Sequence, residues 1–91
     1  MILHQERYLA YLQDIGVGKN DCVASSPKSY LSYLRGVSNL LGVDITPSLL
    51  RGPSDIERVA REIEGQRKVR TIRNYKTAMR QYVAMVQELG L

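Results

Sequence analysis

Side chains that can neutralise phosphates are concentrated in one stretch of the chain, from Gln66 to Gln87. The stretch contains no acidic residue and six basic ones, which are Arg67, Lys68, Arg70, Arg73, Lys76 and Arg80. The rest of the chain holds seven basic and nine acidic residues, so the whole formal net charge of +4 arises from this stretch. Lysine and arginine release counterions when they neutralise phosphates. The clustering therefore predicts binding to a polyanion, of which nucleic acid is the most common.

The alternative interpretation of these charges is a solvated helix surface. Many proteins that bind no polyanion are basic overall, and exposed helices are routinely rich in lysine and arginine. For one basic residue taken alone, solvation and nucleic-acid contact weigh about equally. The absence of any acid across 22 consecutive residues favours binding for the stretch as a whole.

Residues for catalysis or metal binding are scarce. His4 is the single histidine and Cys22 the single cysteine of the chain, so these two residue types cannot form a closed zinc shell. No glycine-rich phosphate loop occurs. Glu62 and Glu64 are two positions apart, which makes them diverge on a helix. We predict no catalytic residue, metal, cofactor or small-molecule substrate for this chain by itself.

Length and composition predict one folded domain spanning residues 1–91. The chain of 91 residues is 44% hydrophobic, which suits a single small globular domain. The lone Cys22 cannot form an internal disulfide, so a reducing compartment, the cytoplasm, is expected. No apolar run approaches the ~20 residues of a membrane span. The N-terminus lacks the pattern of a secretory signal.

The basic stretch is predicted to lie on a long last helix, from about Val69 to Leu89. Apolar residues recur there every three or four positions, and the basic residues recur likewise on a different face. The predicted core face consists of Ile72, Tyr75, Met79, Tyr82, Val83 and Val86. The predicted basic face consists of Arg70, Arg73, Lys76 or Thr77, and Arg80.

Three shorter helices are expected before it, at about residues 3–15, 27–41 and 54–64. Gly36 lies in the middle of the second helix, where glycine weakens a helix by about 1 kcal/mol relative to alanine. Its presence favours a close helix crossing at that point. No segment shows sustained period-two alternation. The predicted fold class is all-α, a four-helix bundle with a short connector turn.

Capping residues support these helix starts. Ser26 precedes a proline at the first position of the second helix, and Thr46 precedes another proline where the connector turn opens. Ser54 is predicted to cap the third helix, with Glu57 completing a capping box.

Two motifs accompany this order of elements. SPKSYLSYL opens the second helix with a Ser-x-x-Thr/Ser-x3-Tyr pattern, and TIRNYKTAMRQYV lies in the last helix with a Thr-Ile-x-x-Tyr-x-x-Ala-hydrophobic-Arg pattern. The residues that carry them are Ser26, Ser29 and Tyr33, and Thr71, Ile72, Tyr75, Ala78, Met79 and Arg80. With these motifs the whole chain resembles the N-terminal core-binding domain of tyrosine recombinases and phage integrases, a SAM-like four-helix domain. Lys68 departs from the pattern, because the family often has serine at that cap position.

The resemblance implies a non-catalytic arm that clamps duplex DNA during DNA recombination or integration, in association with the nucleoid. A separate C-terminal recombinase or nuclease domain would perform any cleavage, and neighbouring protomers are further possible partners. Helices two and four approach the DNA in that family. The implied DNA-binding residues are Lys28, Ser29, Arg35, Arg67, Lys68, Arg70, Thr71, Arg73, Asn74, Lys76, Thr77 and Arg80. Phosphate contacts are expected above all from Lys68 and Arg70, and base contacts from Arg73, Asn74 or Thr77.

A second function stays open at this point. The same fold can serve as a small protein-interaction domain of a phage or mobile element, with the basic face against an acidic protein surface. The chain starts with Met and ends just after the last predicted helix, which suits either a trimmed domain or a short complete protein.

Overall fold

Four helices are present in the computed structural model, which describes residues 2–15 and 27–91. They are α1 (Gln5–Asp14), α2 (Pro27–Leu41), α3 (Pro53–Ile63) and α4 (Val69–Leu89). The described residues contain no strand, and the helices pack on one another. The predicted all-α helical bundle is confirmed.

The longest helix, α4, packs against the other three. Its buried residues are Tyr75, Ala78, Met79, Tyr82, Val83, Met85 and Val86. Of the predicted core face, Ile72 alone is only partly buried, while Ala78 and Met85 are additional buried residues. The helix ends at Gly90, whose φ of 68° is left-handed and whose N–H bonds the carbonyl of Val86, as glycine C-caps commonly do. Three packing partners leave one side of α4 for solvent.

The predicted bounds hold for α2 and α4 and differ for the other two helices. Helix α1 begins at Gln5 rather than at residue 3, because His4 precedes it in a left-handed conformation with φ 60°. The predicted cap Ser26 and the single cysteine, Cys22, lie outside the described residues.

The predicted capping box at α3 is wrong. The N-cap is Gly52, and Pro53 occupies the first turn, so Ser54 lies inside the helix. Proline has a fixed φ and no N–H, which suits the first helical position, so the cap lies two residues before the predicted Ser54. Instead of Ser54, the Asp55 carboxylate accepts a hydrogen bond from the backbone N–H of Arg51 at 2.9 Å.

The connector before α3 forms the predicted turn. The backbone N–H of Leu49 bonds both the carbonyl and the hydroxyl oxygen of Thr46, each at 3.1 Å. Leu50 follows this turn and is fully buried. The turn thus delivers an apolar anchor to the core and directs the chain into α3.

Gly36 lies where α2 crosses α4, and this close crossing accounts for a glycine inside the helix. A Cβ atom built on Gly36 would lie 2.5 Å from the hydroxyl oxygen and 2.9 Å from the ring of Tyr75. No side chain larger than hydrogen fits at this distance without a shift. The small residue therefore lets α4 approach the backbone of α2.

Candidate nucleic-acid interface

The first turn of α4 is the most cationic part of the described chain. A tight turn precedes it, in which Gly65 has φ 88° and the N–H of Gln66 bonds the carbonyl of Ile63. The side chains that follow are all exposed, namely Arg67, Lys68, Val69 and Arg70. Their exposure places three positive charges at the positive end of the helix dipole, an arrangement that attracts anions.

Lys68 is the N-cap residue of α4, and its side chain forms no capping hydrogen bond. Its extended backbone, with φ −62° and ψ 151°, is the usual conformation at this position. The first N–H groups of a helix have no partner within the helix. Without a side-chain cap, these groups stay available to an external acceptor such as a phosphate oxygen.

The basic face continues along α4 through Arg73 and Arg80, both exposed. Among residues 2–15 and 27–91, neither these two arginines nor Arg70 forms an ion pair with a carboxylate. Unpaired guanidinium groups can bond two phosphate oxygens at once. The three arginines can therefore contact phosphates or base edges without breaking an ion pair to a carboxylate of the described residues.

Thr77 lies between the two arginines and is half-buried. Its hydroxyl donates a hydrogen bond to the carbonyl of Arg73 at 3.0 Å. With its proton engaged, the oxygen can still accept a hydrogen bond but cannot donate one to a phosphate. In this rotamer Thr77 suits an amino group on a base edge better than the DNA backbone.

Unlike the other cations of α4, Lys76 forms an ion pair within the described part of the chain. Its ammonium nitrogen lies 3.1 Å from one carboxylate oxygen of Glu57 on α3 and bonds the other at 3.3 Å. The sequence pattern did not reveal this contact, since Glu57 was assigned to a capping box. The pair lies on the side of α4 that faces α3.

The remaining predicted DNA-binding residues differ in their exposure and in their contacts. Thr71 and Asn74 on α4 are half-buried, and the Arg67 guanidinium donates to the carbonyl of Gln66 at 2.8 Å. On α2, Lys28 is exposed and Ser29 is half-buried.

Arg35 lies on α2 in different surroundings from the α4 cations. It lines a shallow groove with Ile2, Gln5, Ser38 and Asn39. None of the basic residues of α4 lines that groove. The structure therefore groups the α4 cations together and leaves Arg35 at the junction of α2 with the N-terminal segment.

Sequence reasoning missed a groove between the end of α3 and the start of α4. Its volume is about 280 Å³, and its lining residues are Glu57, Ala60, Arg61, Glu64, Gly65, Arg67, Val69, Ile72 and Lys76. Val69, the first residue of α4, is 76% exposed. The sequence offered one signal for this groove: Val69 is an apolar residue that falls outside the apolar face of α4.

Within residues 2–15 and 27–91, no group of three or more His, Cys, Asp or Glu residues is arranged to hold a metal ion. None of the four described helices has both the length and the apolar character required to cross a membrane.

Comparison with known proteins returns no relative: no protein-family model matches the chain, and no curated protein or solved structure is significantly similar to it. The resemblance to recombinase core-binding domains therefore stays a prediction that depends on the motifs.

Proposed function

We propose that this domain is a non-catalytic module that binds double-stranded DNA through the basic face of α4. The observation that carries the proposal is the set of exposed cations without a carboxylate partner in the described part of the chain. These are Arg67, Lys68, Arg70, Arg73 and Arg80. A rigid helix that presents unpaired cations on one side is a common solution for contacting the DNA backbone.

Charge segregation supports the same function. The three helices that pack against α4 hide its apolar side and leave the cations outward. A solvated helix surface usually mixes both signs, as the exposed side of α3 does with Arg58, Arg61 and Glu62. The absence of carboxylates from residues 66–87 lowers the repulsion that a polyanion would meet along α4.

The expected DNA binding is electrostatic and salt-dependent. If each of the five unpaired cations neutralises one phosphate, log K falls against log salt with a slope of about −4 to −5. Thr77 and Asn74 lie among these cations and supply the polar groups for any base contact. Association with the nucleoid follows from the proposal. Cleavage or strand transfer would belong to a separate domain of a recombinase or nuclease, as the resemblance implies.

The decisive experiment is a titration with a random 20-base-pair duplex at several salt concentrations. The variant to compare is Arg70→Gln, Arg73→Gln, Arg80→Gln. A matched control neutralises three exposed arginines elsewhere, Arg7→Gln, Arg51→Gln, Arg61→Gln, and so removes the same charge. Binding should be lost in the first variant and largely kept in the control. An equal loss of duplex affinity in both variants would mean that binding depends on net charge alone, and it would refute the assigned face.

A protein partner is the second candidate function, and the groove at the start of α4 favours it. The groove combines apolar residues, Ala60 and Ile72, with a 76% exposed Val69. Exposed apolar surface of this kind suits a protein side chain better than a phosphate. Absence of duplex binding at low salt would favour this candidate over DNA.

A further inference from the structure

The carboxylate of Glu57 contacts the ammonium group of Lys76, where a phosphate would otherwise bind. Its two oxygens lie 3.1 and 3.3 Å from the same ammonium nitrogen. The Lys76 side chain is 26% exposed, and the Glu57 side chain is 56% exposed. Solvent therefore reaches the carboxylate more readily than the lysine that it covers.

Charges of both signs line this side of α4. The groove that contains Glu57 and Lys76 is also lined by Glu64, by Arg61 and Arg67, and by apolar residues of α3 and α4. The exposed arginines Arg73 and Arg80 have no acidic residue paired with them among the described residues. Among the described residues, Lys76 is thus the cation of α4 that a carboxylate neutralises by direct contact.

From this ion pair we infer that Glu57 limits the DNA interface: it occupies Lys76 and keeps phosphates away from that ammonium group. The inference rests on the proposed function and assigns a limit to the same surface. DNA then contacts α4 over Arg70, Arg73 and Arg80. Lys76, although it belongs to the basic stretch, takes no part in binding.

Counterion release explains why the pairing has a measurable consequence. A lysine that is already paired with a carboxylate does not neutralise a phosphate. It therefore contributes nothing to the salt dependence of DNA binding. A phosphate that approached Lys76 would displace Glu57 and would be repelled by it at short distance. Removing the Glu57 charge therefore adds one cation to the interface.

The test uses two variants that make the same chemical change on the same helix. Glu57→Gln releases Lys76, whereas Glu62→Gln removes an exposed carboxylate that forms no ion pair among the described residues. Each variant is also made with Lys76→Gln. Duplex affinity is measured for all of them between low and moderate salt, with circular dichroism to verify folding.

The expected result is specific to Glu57. Glu57→Gln should tighten duplex binding about two- to fivefold beyond Glu62→Gln, the range set by the strength of an exposed ion pair. The slope of log K against log salt should steepen by about 0.9. Both effects should disappear when Lys76→Gln is present.

Two outcomes would overturn the inference while leaving the proposed function intact. In one, the parent protein binds DNA and the two glutamate variants behave alike. In the other, Glu57→Gln tightens binding equally with and without Lys76, which would mean that Glu57 acts only through long-range repulsion. If the parent protein does not bind duplex DNA at low salt, the proposed function itself fails, and the inference fails with it.

Discussion

Tyr8 of α1 and Tyr82 of α4 lie ring against ring in the core, with centroids 5.6 Å apart and planes tilted by 48°. Each hydroxyl ties distant parts of the chain together. Tyr8 donates to the carbonyl of Ala78 at 2.8 Å, and Tyr82 donates to the carbonyl of Leu3 at 2.7 Å. Both rings are fully buried. The pair therefore attaches α1 and the N-terminal segment to the helix that carries the basic face.

Removal of one buried hydroxyl should destabilise the domain while preserving its fold. Tyr8→Phe keeps the ring but loses the bond to the Ala78 carbonyl, which should lower the free energy of unfolding by about 1–2 kcal/mol. Urea denaturation followed by circular dichroism measures this change. Tyr11→Phe is the control: its hydroxyl, at a half-buried position on the same helix, bonds the exposed Glu88, and its loss should cost less than about 0.5 kcal/mol. Equal effects at both positions would contradict the importance of the buried bond.

Alkaline pH should unfold the protein through the same pair. Burial raises the pKa of Tyr82 from its ordinary value of 10.0 to about 12, and burial also raises the pKa of Tyr8. Because the unfolded chain ionises at lower pH than the folded one, the stability contributed by neutral Tyr82 is complete below about pH 10 and is lost as pH rises towards 12. Denaturation midpoints between pH 8 and 12 measure it. Tyr82→Phe should flatten this decline, and an unchanged slope would contradict it.

Gly36→Ala should destabilise the domain, although alanine is normally the better helix former by about 1 kcal/mol. The added methyl group would lie 2.5 Å from the Tyr75 hydroxyl oxygen. Overpacking of this kind typically lowers the free energy of unfolding by about 1–3 kcal/mol. Ser32→Ala, at an exposed position on the same helix, should instead be neutral or slightly stabilising. Thermal unfolding compares the two. A more stable Gly36→Ala protein would show that α2 and α4 are further apart.

Asp55 rather than Ser54 should stabilise the start of α3. Asp55→Ala removes the acceptor of the Arg51 N–H and the ion pair with Arg58 at 3.2 Å, with an expected loss of about 1 kcal/mol. Ser54→Ala should change the free energy of unfolding by less than about 0.5 kcal/mol, because Ser54 is not the N-cap. The same denaturation assay distinguishes them. A larger loss of stability for Ser54→Ala than for Asp55→Ala would support the capping box instead.

Lys68 should show opposite effects on stability and on DNA binding. Lys68→Ser supplies the missing cap and should stabilise α4 by about 0.5–1 kcal/mol, while it removes one phosphate contact. Lys68→Gln should lose the same contact without the gain in stability. Duplex titration and urea denaturation of both variants separate the two roles. Unchanged DNA affinity in both variants would remove Lys68 from the interface.

The sequence alone determined much of what surrounds the basic face. The bounds of α2 and α4 followed from proline and glycine punctuation and from apolar periodicity, which are local signals. The burial of Tyr75 and Tyr82 followed from the same periodicity. Even the close approach at Gly36 was indicated, because a glycine inside a helix has a local cost that only packing offsets.

Only the tertiary structure decided which cations are available. Lys76 and Arg73 both belong to the basic stretch of the sequence, and they differ because α3 brings Glu57 to Lys76 across 19 residues of chain. Side-chain pairs between helices depend on crossing geometry, which periodicity within one helix does not contain.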